Sequence, residues 1–171
     1  MSDSNAPAES VAPPQVGDAA PDVTLVVTPG GEPLTLSDVW ADGPLVLYFY
    51  PKDATPGCTT EACDFRDRDA ALAEAGATVL GVSPDPPASH EKFIAKQSLP
   101  FRLLSDEEKT AATAYGVWVE KSMYGRKYMG VQRATFLIGQ DGKIAAAWPK
   151  VKVKGHADAV LEALAELKKN G

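Results

Sequence analysis

The 171 residues make one domain's length of chain, and 44% hydrophobic and 23% charged residues are ordinary proportions for a soluble globular protein. The net charge is −6, and residues 1–51 contain seven of the 23 acidic residues but none of the 17 basic ones. An acidic chain without a basic stripe is not expected to bind nucleic acid, because phosphate recognition needs concentrated positive charge.

Neither a targeting segment nor a membrane anchor is predicted. The first 20 residues are acidic and rich in Pro, Ala and Ser, and they lack the cationic start and apolar centre of a signal peptide. The longest apolar run, residues 45–50, is far too short to span a bilayer. We expect a cytoplasmic protein with a flexible tail over residues 1–15 and a single domain over residues 16–171.

After the tail, apolar strand-like runs alternate with helical patterns, which is typical of an α/β domain. The pattern predicts strands at residues 23–27, 45–50, 78–82, 134–138 and 144–148, with a short edge strand at 101–104. It predicts helices at 59–75, 87–97, 107–114 and 156–169. Asp141-Gly142 is a strong hairpin signal between the last two strands. A central mixed β-sheet flanked by helices, ending in a hairpin and a helix, resembles a thioredoxin-like fold.

The chain has two cysteines, Cys58 and Cys63. In a reducing cytosol, two neighbouring cysteines are more often catalytic or metal-binding than structural. Cys58 follows an apolar strand and a Pro/Gly-rich loop, at the start of a predicted helix. The unpaired amides and the positive end of the helix dipole stabilise an anion there, so they favour the nucleophilic thiolate. Thr55 can direct its hydroxyl into the same pocket.

Pro51, Thr55 and Cys58 stand in the order Pro-x-x-x-Thr-x-x-Cys, which resembles the active-site motif of the peroxiredoxins. The fourth element of that family, an arginine on a distant strand, is matched by Arg133. A second cysteine five residues after the first, Cys63, is similar to the PrxQ subfamily, also called bacterioferritin comigratory protein. The resemblance covers about residues 16–170. It implies these five residues as the catalytic set and no metal or other cofactor.

The resemblance implies a thiol-dependent peroxidase. The Cys58 thiolate would attack hydrogen peroxide or an alkyl hydroperoxide and become a sulfenic acid, while Thr55, Arg133 and loop amides stabilise the leaving oxygen. Cys63 would condense with the sulfenic acid to an intramolecular disulfide, and thioredoxin or a similar dithiol donor would reduce it. We expect a monomer or a weak dimer without a membrane or nucleic-acid partner.

Helix geometry sets a condition on that disulfide. Residues five apart on an α-helix have Cα atoms about 8.6 Å apart, whereas a disulfide tolerates no more than ~7 Å. The bond between Cys58 and Cys63 therefore requires the first turns of the helix to unwind in each catalytic cycle.

Other interpretations remain open at this stage. Cys63 could fill space in an Ala-rich helix, which would leave a one-cysteine peroxidase. Cys58 and Cys63 could bind a metal with His90 and His156, although zinc sites usually take cysteines two to four residues apart; both histidines are expected at the surface or as caps. A general disulfide oxidoreductase would normally carry Cys-x-x-Cys, which the chain lacks. A redox-regulated binding protein or holdase is the non-enzymatic alternative.

Overall fold

The computed structural model describes residues 11–170. The strands within them are β1 (Thr24–Thr28), β2 (Pro33–Thr35), β3 (Leu45–Phe49), β4 (Thr78–Ser83), β5 (Arg102–Ser105), β6 (Trp118–Met123), β7 (Arg126–Val131), β8 (Ala134–Ile138) and β9 (Ile144–Trp148). The helices are α1 (Leu36–Trp40), α2 (Pro56–Glu74), α3 (Pro87–Gln97), α4 (Thr110–Ala114) and α5 (His156–Asn170).

Seven strands form one mixed sheet in the order β2-β1-β5-β4-β3-β8-β9. The central strand β3 pairs parallel with β4 and antiparallel with β8. All five residues of β3 are buried, as expected for a strand that is covered on both faces. The predicted central mixed sheet with flanking helices is confirmed, and so is the hairpin between β8 and β9.

The alternation of side chains along β3 divides the core into two layers. Leu45, Leu47 and Phe49 pack in one cluster, which also contains buried residues of α1 and α4. Val46 and Tyr48 point to the opposite face, where α2, α3 and α5 cover the sheet. Cys58 belongs to this second cluster, so the helix that carries it is fixed against the sheet by apolar packing.

The prediction of an edge strand at residues 101–104 is wrong. The strand there, β5, lies inside the sheet, parallel to β4 on one side and antiparallel to β1 on the other. The hairpin of β1 and β2 extends the sheet beyond it. Strand β2 has only three residues, too few for a periodic pattern to reveal it.

Two helix starts also differ from the prediction. Helix α2 begins at Pro56, earlier than residue 59, because proline suits the first position of a helix. Helix α4 begins only at Thr110, because Lys109 has a left-handed backbone with φ 58°. The Asp106 carboxylate accepts hydrogen bonds from the amides of Ala111 and Ala112 and thereby holds the start of this short helix.

Residues 1–10 of the predicted tail lie outside the described residues. The backbone of residues 11–13 lies so close to Gly116 that a Cβ at position 116 would collide with it, and Gly116 has a positive φ of +69°. The division into a tail over residues 1–15 and a domain over residues 16–171 stays a prediction. No helix within residues 11–170 is both long enough and apolar enough to cross a bilayer.

Candidate active site

Cys58 is the third residue of α2 and is buried, with 1% of its surface exposed. The preceding Thr55 has an extended backbone and makes no side-chain hydrogen bond to cap the helix. The first amides of α2 therefore have no side-chain oxygen to cap them. A negative charge on the Cys58 sulfur lies at the positive end of the helix dipole, which stabilises it.

Arg133 brings a cation to this sulfur. It directly precedes β8, and the pairing of Ala134 with Phe49 places it at the end of β3 where the loop to α2 begins. Its Nη2 donates to the Cys58 Sγ at 3.3 Å. A Cβ at position 57 would lie only 3.2 Å from the same nitrogen, so Gly57 leaves the room that the guanidinium occupies. The sequence-based pairing of Arg133 with Cys58 thus corresponds to a direct contact.

Glu61 completes this contact, although no motif in the sequence singles it out. Its Oε1 accepts a 2.6 Å hydrogen bond from Arg133 Nη1, so the two ends of the guanidinium fork bind Glu61 and Cys58. Glu61 is 1% exposed, and its Oε2 has no hydrogen-bond partner. The spacing of three residues from Cys58 puts both side chains on the same helix face. That spacing is the signal that could have revealed Glu61.

Burial raises the pKa of the Glu61 carboxyl from 4.5 to about 7, although the Arg133 cation opposes the shift. A raised folded-state pKa means that the stability linked to this proton is complete below pH 4.5 and is lost as the pH rises through about 7. We expect Glu61→Gln to flatten this part of the pH profile of the unfolding free energy. The difference between the two profiles should be on the order of 3 kcal/mol.

Urea unfolding of the reduced protein from pH 4 to 8 measures this difference. Glu74→Gln, at an exposed position of the same helix, is the matched control and should follow the wild-type profile. Parallel profiles for the wild type and Glu61→Gln would contradict the assigned pKa.

Thr55 and Pro51 lie in the loop between β3 and α2. The Thr55 Oγ1 donates to the Lys52 carbonyl at 2.9 Å, which commits its proton and leaves its lone pairs free to accept. Pro51 is half-buried at the bend that follows β3. The loop thus brings both residues to the helix start that carries Cys58, as the spacing predicts.

Cys63 lies further along α2 and is half-buried, and neither cysteine is in a disulfide. Its thiol donates to the Gln97 Oε1 at 3.4 Å, at the end of α3. Arg66 donates to the Gln97 carbonyl at 2.8 Å. Because Cys58 and Cys63 both lie within the intact α2, the helix-geometry condition on their disulfide applies to this structure.

The expectation that His90 and His156 are surface or capping residues is wrong. His90 is fully buried, with Nδ1 at 2.7 Å from Asp53 Oδ2 and Nε2 at 3.0 Å from the Leu104 carbonyl oxygen. His156 is 6% exposed, and its Nε2 lies 2.8 Å from the Thr135 Oγ1. Burial lowers the pKa of His156 to about 4, and the positive charge of the nearby Arg133 contributes to the shift to a smaller extent. Both rings are buried because the fold supplies hydrogen-bond partners that the sequence pattern does not reveal.

The two cysteines and two histidines do not assemble a metal site within the part of the chain that the structure describes. Among the described residues, one group has candidate ligand atoms within 4.8 Å of one another. It consists of Asp53, Asp85 and His90. Cys58 and Cys63 are not in that group, and His156 is hydrogen-bonded elsewhere.

Lys121 is a second basic residue near the sulfur. Its aliphatic stem crosses β7 at Gly130, where a Cβ would lie 3.3 Å from the Lys121 Cδ. Partial burial lowers its pKa, as does the Arg133 charge, while Cys58 acts in the opposite sense. The hairpin of β6 and β7 therefore adds positive charge to the surroundings of Cys58.

Known proteins are similar to this chain over most of its length. The profile of the AhpC/TSA family matches residues 16–147. Peroxiredoxin Bcp of Bacillus subtilis is 48% identical over 153 residues, which make up 90% of this chain and 96% of that protein. The chain belongs to the AhpC/TSA family, among the Bcp/PrxQ peroxiredoxins.

Solved structures of such peroxiredoxins share the fold. The bacterioferritin comigratory protein of Xanthomonas campestris is 45% identical and superimposes with a TM-score of 0.82, covering 89% of this chain and 98% of that one. The peroxidoxin BcpB of Mycobacterium tuberculosis is 38% identical with a TM-score of 0.79, covering 90% and 97%. The thioredoxin-like fold is confirmed, and this peroxiredoxin is a thiol peroxidase that acts on peroxides with a thiol reductant.

Proposed function

We propose that Cys58 is the thiolate that attacks the peroxide and that Arg133 is its cationic partner. The observation that carries this assignment is the 3.3 Å contact between Arg133 Nη2 and Cys58 Sγ at the start of α2. The guanidinium remains cationic at any working pH. A fixed cation and a helix dipole at one buried sulfur favour the thiolate over the thiol.

The first step is displacement at oxygen. The Cys58 sulfur forms a bond to one peroxide oxygen, the O–O bond breaks, and the electron pair leaves on the other oxygen as hydroxide or alkoxide. Protonation of that oxygen yields water or an alcohol, and Cys58 is oxidised to a sulfenic acid. Arg133 and the first amides of α2 stabilise the charge that develops along this axis. The free lone pairs of Thr55 hold the peroxide proton, and Pro51 fixes the start of the loop.

Cys63 resolves the sulfenic acid in our proposal. Its sulfur attacks the Cys58 sulfenic sulfur, a disulfide forms within one chain, and the sulfenic oxygen leaves as water. The half-buried position of Cys63 on α2 supports this role, because local unwinding of two turns is enough to release it. Thioredoxin or a similar dithiol donor then reduces the disulfide by thiol–disulfide exchange.

Both hydrogen peroxide and alkyl hydroperoxides are proposed as substrates. Alkyl peroxide reduction is described for the bacterioferritin comigratory protein of Xanthomonas campestris. A cytoplasmic monomer, or a weak dimer, remains our proposal for the state in which the enzyme works. Catalytic rather than structural use of two neighbouring cysteines is typical of a reducing compartment.

Hydrogen exchange on reduced and peroxide-oxidised protein tests the resolving step. We expect a Cys58–Cys63 disulfide in the oxidised sample, with faster exchange over residues 57–65, because a helical segment cannot bring the two Cα atoms within disulfide range. Mass spectrometry of the peptides measures both the bond and the exchange. Helix α5 is the internal control and should exchange equally in both samples.

Cys63→Ser supplies the matched control. This variant still oxidises at Cys58 but forms no intramolecular bond, so its α2 should keep the protection of the reduced wild type. Equal protection of residues 57–65 in the reduced and oxidised wild type would overturn resolution by unwinding. A disulfide found only between chains would do the same and would favour the one-cysteine interpretation.

A further inference from the structure

A largely buried polar cluster lies beside the loop that carries Pro51 and Thr55. We call it the Asp53 cluster, and it consists of Tyr50, Asp53, Ser83, Asp85, Ser89 and His90. Its members come from the residue after β3, the loop, the end of β4 and the segment that follows it, and the first turn of α3. The steps of the peroxidase reaction described above do not use it.

The Asp53 carboxylate collects three side-chain hydrogen bonds. Tyr50 Oη donates to Oδ1 at 2.6 Å and Ser89 Oγ donates to Oδ2 at 2.8 Å. His90 Nδ1 lies 2.7 Å from the same Oδ2. The His90 Nε2 lies 3.0 Å from the Leu104 carbonyl oxygen. Asp53 thereby ties the loop to β3 and α3.

The main chain of the loop is held as well. The Asp53 amide donates to Asp85 Oδ2 at 2.7 Å, and Ser83 Oγ donates to that same oxygen at 2.6 Å. Asp53 is thus fixed at both its backbone and its side chain. Each side chain of the cluster makes at least one hydrogen bond within it, so the cluster is internally connected.

The loop needs such support because it is conformationally demanding. Ala54, the next residue, has a left-handed backbone with φ 65°, a conformation that residues other than glycine rarely adopt. Immediately beyond it, Thr55 directs its hydroxyl proton back to the Lys52 carbonyl. The direction of the Thr55 lone pairs therefore depends on where Lys52, Asp53 and Ala54 are held.

We propose that the Asp53 cluster is a positioning device for the peroxide reaction, which acts by fixing the loop that aims the Thr55 hydroxyl at the peroxide bound beside Cys58. This inference rests on the role proposed for Thr55. Tyr50, Asp53 and His90 are its principal positioning residues. They act through Thr55 and do not contact the reacting sulfur.

Tyr50→Phe is the sharpest test, because it removes one hydroxyl and one 2.6 Å hydrogen bond to Asp53. Tyr115→Phe is the matched control: Tyr115 is also fully buried, and its hydroxyl donates a 2.6 Å bond to the Pro21 carbonyl, away from the loop. We expect Tyr50→Phe to slow the single-turnover reaction of Cys58 with hydrogen peroxide about tenfold. Tyr115→Phe should react at the wild-type rate.

Alkylation by iodoacetamide is the second readout. It requires the Cys58 thiolate but not the Thr55 hydroxyl, so it should proceed at the wild-type rate in Tyr50→Phe. A parallel loss in both reactions would overturn the inference, because it would indicate a general disturbance of Cys58. His90→Gln should show the same pattern with a larger loss toward peroxide, and a wild-type peroxide rate in both variants would also overturn it.

Thr55→Val separates this inference from the function on which it rests. If Thr55→Val reacts with peroxide like the wild type, the proposed role of Thr55 fails, and the inference fails with it. If Thr55→Val is slow, the Tyr50→Phe/Thr55→Val double variant should be no slower than Thr55→Val alone, since the cluster acts through that hydroxyl. Multiplied losses in the double variant would refute the inference and leave the role of Thr55 intact.

Discussion

Cys58→Ser is expected to abolish peroxide turnover while the fold remains intact. A serine hydroxyl in the same position does not ionise near neutral pH, so the Arg133 contact and the helix dipole have no nucleophile to stabilise. Donor-coupled peroxide consumption measures the loss, and circular dichroism monitors the fold.

Cys63→Ser is the control for this variant. It should consume one equivalent of peroxide at the wild-type rate and then stop, because the first step does not need the resolving thiol. A Cys58→Ser enzyme that retains more than about a tenth of the wild-type turnover would exclude Cys58 as the attacking residue.

Arg133→Ala should slow the reaction of Cys58 with peroxide by about 10²–10³-fold. The substitution removes the donor 3.3 Å from the sulfur and the cation that stabilises the developing charge. Stopped-flow single turnovers with hydrogen peroxide measure the rate. Arg133→Lys keeps the charge without the guanidinium fork that binds Glu61 and Cys58 together, so its rate should lie between those of Arg133→Ala and the wild type.

Loss of Arg133 also leaves Glu61 buried without its cation, which is expected to destabilise the fold. The Arg133→Ala/Glu61→Gln double variant removes this unpaired carboxylate and should regain stability without regaining activity. A double variant with the wild-type peroxide rate would show that Arg133 acts only as a structural partner of Glu61.

Local patterns are sufficient to predict the loop and helix start that hold three of the proposed catalytic residues. The Pro-x-x-x-Thr-x-x-Cys spacing fixed Pro51, Thr55 and Cys58 on one loop and helix start, because the chain there is continuous. The approach of Arg133 from a distant strand followed only from the family resemblance, since no local pattern pairs β8 with β3. The structure provides that pairing through the register of Ala134 with Phe49.

The remaining errors arise where long-range partners decide the outcome. His90 looks polar and exposed in the sequence, yet Asp53 and the Leu104 carbonyl lie far along the chain and allow its burial. The prediction of β5 as an edge strand is wrong because β1 pairs with its other side, and no local pattern in the sequence reveals that long-range pairing. Glu61 could have been predicted from the sequence. It lies three residues after Cys58 on the same helix face, and its charge is opposite to that of Arg133.

The central claim is that Cys58 is the sulfur that peroxide oxidises. Mixing reduced Cys63→Ser protein with one equivalent of hydrogen peroxide, in the presence of a sulfenic-acid trapping reagent, tests it most directly. Peptide mass spectrometry after a quench within seconds should find the trapped sulfenic acid on Cys58 in nearly every chain, with the peroxide consumed. Unmodified Cys58 together with unreacted peroxide would contradict the account.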